Sequence, residues 1–205
     1  MNKEKYIEDL QEIRTLMDRS TKFISLSGWA GVFAGLVALI SASCAYYLLG
    51  SSGVTISNYT EIGERSFELK LLGLGLITLF VAIVGGIYFT MQKSKKQQKP
   101  VWDKQTKRVV TDLSIPLITG GILSVLLLLR GYLGIIAPLT LVFYGMALLN
   151  VSHYTRKEVK QLAITEIVLG LLAAVMVGYG LVFWAIGFGV AHIIYGVKME
   201  LNAKS

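Results

Sequence analysis

Between Glu166 and Lys198 the chain runs for 31 residues without an Asp, Glu, Lys or Arg. As one straight α-helix this stretch would be about 46 Å long at 1.5 Å per residue, well beyond a hydrocarbon layer of ~30 Å. It therefore forms either one steeply tilted membrane helix or a hairpin of two short ones. Gly178-Tyr179-Gly180 supplies a break, because glycine enters turn conformations readily and costs about 1 kcal/mol inside a helix relative to alanine. The hairpin is the expected arrangement.

Four further apolar stretches precede it, at about 23–49, 69–91, 113–129 and 134–151, and the hairpin adds 163–178 and 181–197. The 205 residues are 54% hydrophobic and only 16% charged, against roughly 25% charged in soluble domains. Six spans consume about 120 residues. No remaining piece approaches the ~40 residues below which a domain rarely folds unaided, so a separate soluble catalytic or DNA-binding domain is excluded. The expected fold class is all-α: an integral membrane bundle of six transmembrane helices over 23–199, with an N-terminal amphipathic cytoplasmic helix within 1–22 and a short cytoplasmic tail at 200–205. Three hairpins are one way to build it. Arg130-Gly131-Tyr132 ahead of Tyr144-Gly145, and Val177-Gly178-Tyr179 ahead of Tyr195-Gly196, are the matches that a duplicated hairpin would leave, and short matches between hydrophobic helices also arise by chance.

Orientation follows from Lys and Arg, which are retained on the cytoplasmic side. With the N-terminus inside, seventeen of the twenty basic residues fall in the tail, the second and fourth loops and the C-terminus; Arg65, Lys70 and Arg130 fall outside. The net charge of +7 is thus mainly a topology signal. Pro116 and Pro138 are expected in the first turns of spans three and four, where a missing N–H is harmless, and Pro100 in a loop. The single Cys44 sits inside a span and says nothing about redox compartment. The N-terminus lacks a signal-peptide pattern and is expected to stay on the mature protein.

Residues 3–19 read as an amphipathic helix, with Tyr6, Leu10, Ile13 and Met17 on one stripe flanked by Ile7 and Leu16. Its balanced charge lacks the cationic face of a lipid-surface anchor, leaving packing on its own bundle, self-association or docking of a membrane or cytoplasmic protein. The run 93–108 carries seven basic residues and Trp102; it fixes topology and is able to attract anionic headgroups of the lipid bilayer. It has no nucleic-acid motif. Small residues at i,i+4 spacing mark packing faces: Ser27, Gly31 and Gly35 in span one, and Gly170, Ala174 and Gly178 in span five. Intrachain packing and a homo-oligomer interface are both open uses.

Polar groups at membrane depth are candidate functional residues because burying them is costly. Asp112, Asn150, His153 and Glu166 are expected together at the cytoplasmic end, as a proton or cation site or as structural hydrogen-bonding groups. His192 stands apart, midway along span six. No metal site is expected, since no second His or Cys has suitable spacing, and no cofactor motif, phosphate loop or catalytic signature occurs. An enzyme is not expected.

The runs IRTLMDRSTKFISLSGWAGVFAGLVALI (13–40) and LVFWAIGFGVAHIIYG (181–196) resemble those of small multi-pass bacterial membrane proteins without an assigned activity. The resemblance implies a bacterial inner (plasma) membrane location and carries no substrate or functional residue. Two functions compete at this level. One is a non-enzymatic interaction or regulatory role with the N-terminal helix as contact element. The other is a small solute, ion or proton transporter or channel that uses the polar cluster and His192.

Overall fold

The computed structural model describes residues 27–51, 65–98 and 102–203. The expected amphipathic helix at 3–19, the connection 52–64 and residues 99–101 and 204–205 lie outside the described residues. Within these limits the chain is helical and contains no strand. The helices are α1 (Gly28–Ser51), α2 (Arg65–Lys96), α3 (Lys104–Leu128), α4 (Ile136–Val151, entered through a 3₁₀ turn at Leu133–Ile135), α5 (Lys157–Val175) and α6 (Gly180–Leu201). Five of them, α1 to α4 and α6, are long and apolar enough to cross a membrane, as in a multi-pass membrane protein. In α5 the charges of Lys157, Glu158, Lys160 and Glu166 interrupt an otherwise apolar sequence.

The helices alternate in direction. Leu49 at the end of α1, Phe67 at the start of α2, Leu128 at the end of α3, Leu133 before α4 and Leu181 at the start of α6 gather in one apolar cluster. At the other end Lys93 pairs with Glu200 at 3.5 Å, and Arg156 donates to the Met199 carbonyl oxygen at 3.2 Å. This basic end holds both the beginning of α1 and the end of α6. Side by side the order is α2, α1, α6, α5, α4, α3, with α4 also touching the start of α6.

Two glycines make the tight reversals. Gly131 (φ 83°) and Gly178 (φ 93°) adopt left-handed backbone, which costs a residue with a Cβ about 1 kcal/mol or more. After α3 the Gly131 N–H bonds to Leu128 and the Tyr132 N–H to Leu127, satisfying carbonyls that a helix end leaves without partners. After α5, Met176 to Tyr179 form the turn that starts α6. The long charge-free stretch is therefore two antiparallel helices. Contacts at Thr165–Tyr195, Gln161–Lys198 and Glu158–Asn202 zip them together toward the basic end.

Pro116 departs from its expected place. Helix α3 starts at Lys104, well before the apolar stretch, so this proline lies in the helix interior. It has no N–H to give the carbonyl of Asp112, four residues earlier. The Asn150 side-chain amide on α4 donates to that carbonyl instead, at 2.8 Å. A gap in one helix is filled by the next.

The start of α3 is fixed by Asp103. Its carboxylate accepts from the Thr106 backbone N–H at 2.7 Å and from the Thr106 hydroxyl at 2.8 Å. These bonds, the backbone one foremost, hold the carboxyl below its ordinary value of 3.8. Because the folded-state value is depressed, the stabilisation is present above pH ~4 and is lost as pH falls through the folded-state value. Asp103→Ala is expected to cost about 1 kcal/mol at neutral pH and less at pH 3, below the ordinary carboxyl value, where part of the stabilisation is gone. Denaturation midpoints of both proteins at the two pH values test this.

Candidate functional site

The buried face of α5 reads Val159, Leu162, Ala163, Glu166, Gly170, Ala173. A carboxylate thus stands in the middle of an apolar stripe, and Glu166 is completely buried. Helix α4 comes close to it because Gly145 and Gly170 have no side chains. A Cβ on Gly145 would lie 2.8 Å from the Ala163 carbonyl oxygen, and one on Gly170 would lie 3.0 Å from the Pro138 carbonyl oxygen. Leu141, also with no exposed surface, closes one side of the carboxylate. Ala174 is exposed, so within the expected stripe of Gly170, Ala174 and Gly178 it is the neighbouring Ala173 that packs inward, while Gly178 makes the turn.

Helix α6 brings His192 to the same place. Its residues Ala185–Ala191 are wound as a π-helix, a departure from α-geometry that is often found at functional sites. Two glycines serve opposite faces of this segment. Gly189 faces α1, where a Cβ would meet Leu39 at 2.5 Å, and Gly187 faces Glu166, where a Cβ would meet a carboxylate oxygen, Oε2, at 2.5 Å. Any larger residue at 187 would displace the carboxylate.

The imidazole is buried and bridges two neighbours. Its Nε2 lies 2.7 Å from the Tyr144 hydroxyl on α4. Its Nδ1 lies 3.0 Å from the Gly187 carbonyl oxygen and 3.3 Å from Glu166 Oε1. A carbonyl oxygen only accepts, so Nδ1 carries a hydrogen. In the neutral ring Nε2 is then the acceptor, and Tyr144 donates to it. Although Nδ1 is near Glu166, neither carboxylate oxygen has a hydrogen-bond partner among the described residues. The Nδ1–H is satisfied by Gly187, so Nδ1 lies beside Glu166 without a directed hydrogen bond to it. Phe188 stacks on His192 at 5.8 Å between ring centroids and packs on Tyr144 at 4.9 Å, shielding the pair.

The four polar residues expected in one cluster are divided. Asp112 contributes its backbone carbonyl to Asn150, and His153 is exposed. Glu166 turns away from them and joins His192. Tyr144 completes this centre; in the sequence it stands out only as half of a Tyr-Gly repeat. From Glu166 toward the basic end three polar contacts flank the apolar α5–α6 cluster of Val159, Leu162, Ala163, Ala191 and Met199: Thr165 meets Tyr195 at 3.3 Å, Lys198 donates to Gln161 at 2.9 Å, and Asn202 donates to Glu158 at 2.6 Å. Toward the opposite end the α5 stripe continues as Gly170 and Ala173. No group of three or more His, Cys, Asp or Glu suited to a metal ion occurs among the described residues.

The packing face of α1 is longer than the expected Ser27, Gly31, Gly35. Ser27 is buried, and the face continues as Gly28, Gly31, Gly35, Ala38, Ala42, Ala45 and Leu49, at alternating spacings of three and four. Gly28, Gly31 and Gly35 lie directly on the α6 backbone at Gly189, His192 and Gly196. This spacing is that of helices crossing at a shallow angle. Comparison with protein-family models, curated proteins and solved structures finds no match.

Proposed function

We propose that this chain is a six-span membrane protein that moves protons or a proton-coupled small solute, with Glu166 as its ion-binding group. The observation that carries the reading is the Glu166 carboxylate, wholly buried, with no hydrogen-bond donor among the described residues and a histidine beside it. Ionisable side chains inside a bundle are expensive and are retained mainly where ions or protons pass. The polar contacts of Thr165 with Tyr195 and of Gln161 with Lys198 lie along the α5–α6 seam between this carboxylate and the basic end. In this reading α5 also crosses the membrane, as span five of six, its charged first turns lie at the cytoplasmic surface, and both termini are cytoplasmic in a bacterial inner membrane, consistent with the basic residues.

The test is flux. Purified protein in liposomes should dissipate or exploit an imposed pH gradient faster than protein-free vesicles. Glu166→Gln should remove at least nine-tenths of the excess rate. Wild-type protein that conducts neither protons nor any of a panel of ions and small solutes would sink this reading.

A second reading, a non-enzymatic regulatory protein that presents its N-terminal segment to a partner, draws on the α1–α6 contact. Gly28 rests on Gly196 and Glu200, so the segment entering α1 emerges beside the helix that carries His192. Deleting residues 1–20 should then remove a co-purifying partner or an oligomer and leave the bundle folded. Unchanged mass and partners would count against it.

A further inference from the structure

We propose that the Glu166–His192 pair carries one exchangeable proton, and that the ion bound at this centre is a proton and not a metal cation. The inference deepens the transport reading and rests on it for its physiological meaning, but not for its test. Three observations carry it. The first is space: Gly187 and Leu141 press on the carboxylate so closely that a single added carbon on Gly187 would lie 2.5 Å from Oε2 and 2.6 Å from Leu141 Cδ2. Hard cations need about six oxygen ligands at roughly 2.0–2.6 Å, and the described neighbours of the carboxylate, Leu141, Gly187 and the His192 ring, do not supply such a shell. A proton needs no such shell.

The second is charge. With one proton, the pair is neutral overall, as a carboxylic acid beside imidazole or as a carboxylate beside an imidazolium whose added hydrogen is on Nε2, where the Tyr144 hydroxyl then accepts. With none it carries −1, and with two it carries +1. Either net charge is costly to bury, so the singly protonated, neutral pair is the form that this packing favours. The third is isolation from other charges. Among the described residues the α1 face against α6 is uncharged, with Gly28, Gly31, Val32, Gly35 and Leu39 on it, and α4 presents Tyr144. The nearest titratable groups on α5 and α6 are Tyr195 and, farther toward the basic end, Lys198 and Glu158, which bond to Thr165, Gln161 and Asn202. None is placed to substitute for the proton at Glu166.

Full-length protein in lipid nanodiscs allows the proton to be counted directly. Wild type, Glu166→Gln and His192→Gln are titrated between pH 4 and 9 with indicator dye, and infrared difference spectra follow the carboxyl stretch. The expected result is one proton per chain fewer in Glu166→Gln. A buried carboxyl band should be absent from that variant and shifted in His192→Gln. NaCl, KCl, MgCl2 and CaCl2, each at equal ionic strength, should stabilise wild type and Glu166→Gln alike. If one salt raises the melting temperature of wild type by several degrees and not that of Glu166→Gln, the centre is a cation site and the proposal fails. Identical proton counts in wild type and Glu166→Gln also overturn it. Should Glu166→Gln not fold, Tyr144→Phe, which removes one hydroxyl, is expected to shift the carboxyl band, and an unmoved band overturns the proposal. A normal titration in a protein without flux would remove the transport reading and leave this one standing.

Discussion

Gly196→Ala is expected to lower the stability of the bundle by 1–3 kcal/mol or somewhat more, the range for an extra carbon forced into a full interface. The new Cβ would lie 2.6 Å from the Gly28 carbonyl oxygen and 2.8 Å from the Val32 backbone nitrogen. Both are backbone atoms of α1 and have no rotamer to give. The helices must part, and α1 would lose close contact along its glycine face. In lipid that contact is a principal source of helix association, since apolar side chains gain little by leaving an apolar solvent. Gly73→Ala is the internal control, because a Cβ there meets nothing within 4 Å; its stability should be unchanged or slightly raised by alanine's better helix propensity. Unfolding midpoints of the two variants in one detergent provide the measurement. Equal midpoints would mean that α1 and α6 are not held as described.

Leu141→Ala is expected to cost 2–5 kcal/mol, the range for emptying a fully buried leucine site. The side chain has no exposed surface and fills the space between α4, Gly187 and the Glu166 carboxylate, so its removal leaves a void beside a polar group. The lost contacts are van der Waals contacts with fixed neighbours, which no lipid tail can replace from outside. Leu171→Ala, at a residue 57% exposed on the outer face of α5, should stay within about 0.5 kcal/mol of wild type. A loss below 1 kcal/mol at Leu141 would show that the helices close over the gap.

Pro116 shows where one-dimensional reading fails. An apolar window locates the span, but helix α3 begins earlier, at the Asp103 cap and through Thr106 and Lys107. The helix is thus longer than its lipid-facing part, and the proline falls in its interior. Asn150, read as a membrane-depth polar group, answers the resulting free carbonyl of Asp112. Glu166 and His192 were each visible as costly residues, but their pairing was not. They are 26 positions apart on helices whose reversal depends on the Gly178 turn, and the imidazole reaches α5 from a π-wound segment that hydrophobic periodicity does not reveal.

What the sequence determined by itself was the solvent and the scale of the elements. Long uncharged stretches, the separation of basic residues and glycine pairs at reversals follow from hydrogen bonding and charge in a hydrocarbon layer, where each segment must satisfy its own backbone. Those constraints act locally and can be read locally. The tertiary structure alone decided which face of each helix meets which neighbour. The α1 face sets Gly28, Gly31 and Gly35 on α6, and Gly145, Gly170 and Gly187 bring three helices close enough for Tyr144, His192 and Glu166 to share one centre. In lipid no contrast in polarity marks the faces that pack together. Fit between backbones selects them, and that fit exists only once the partner helix is in place.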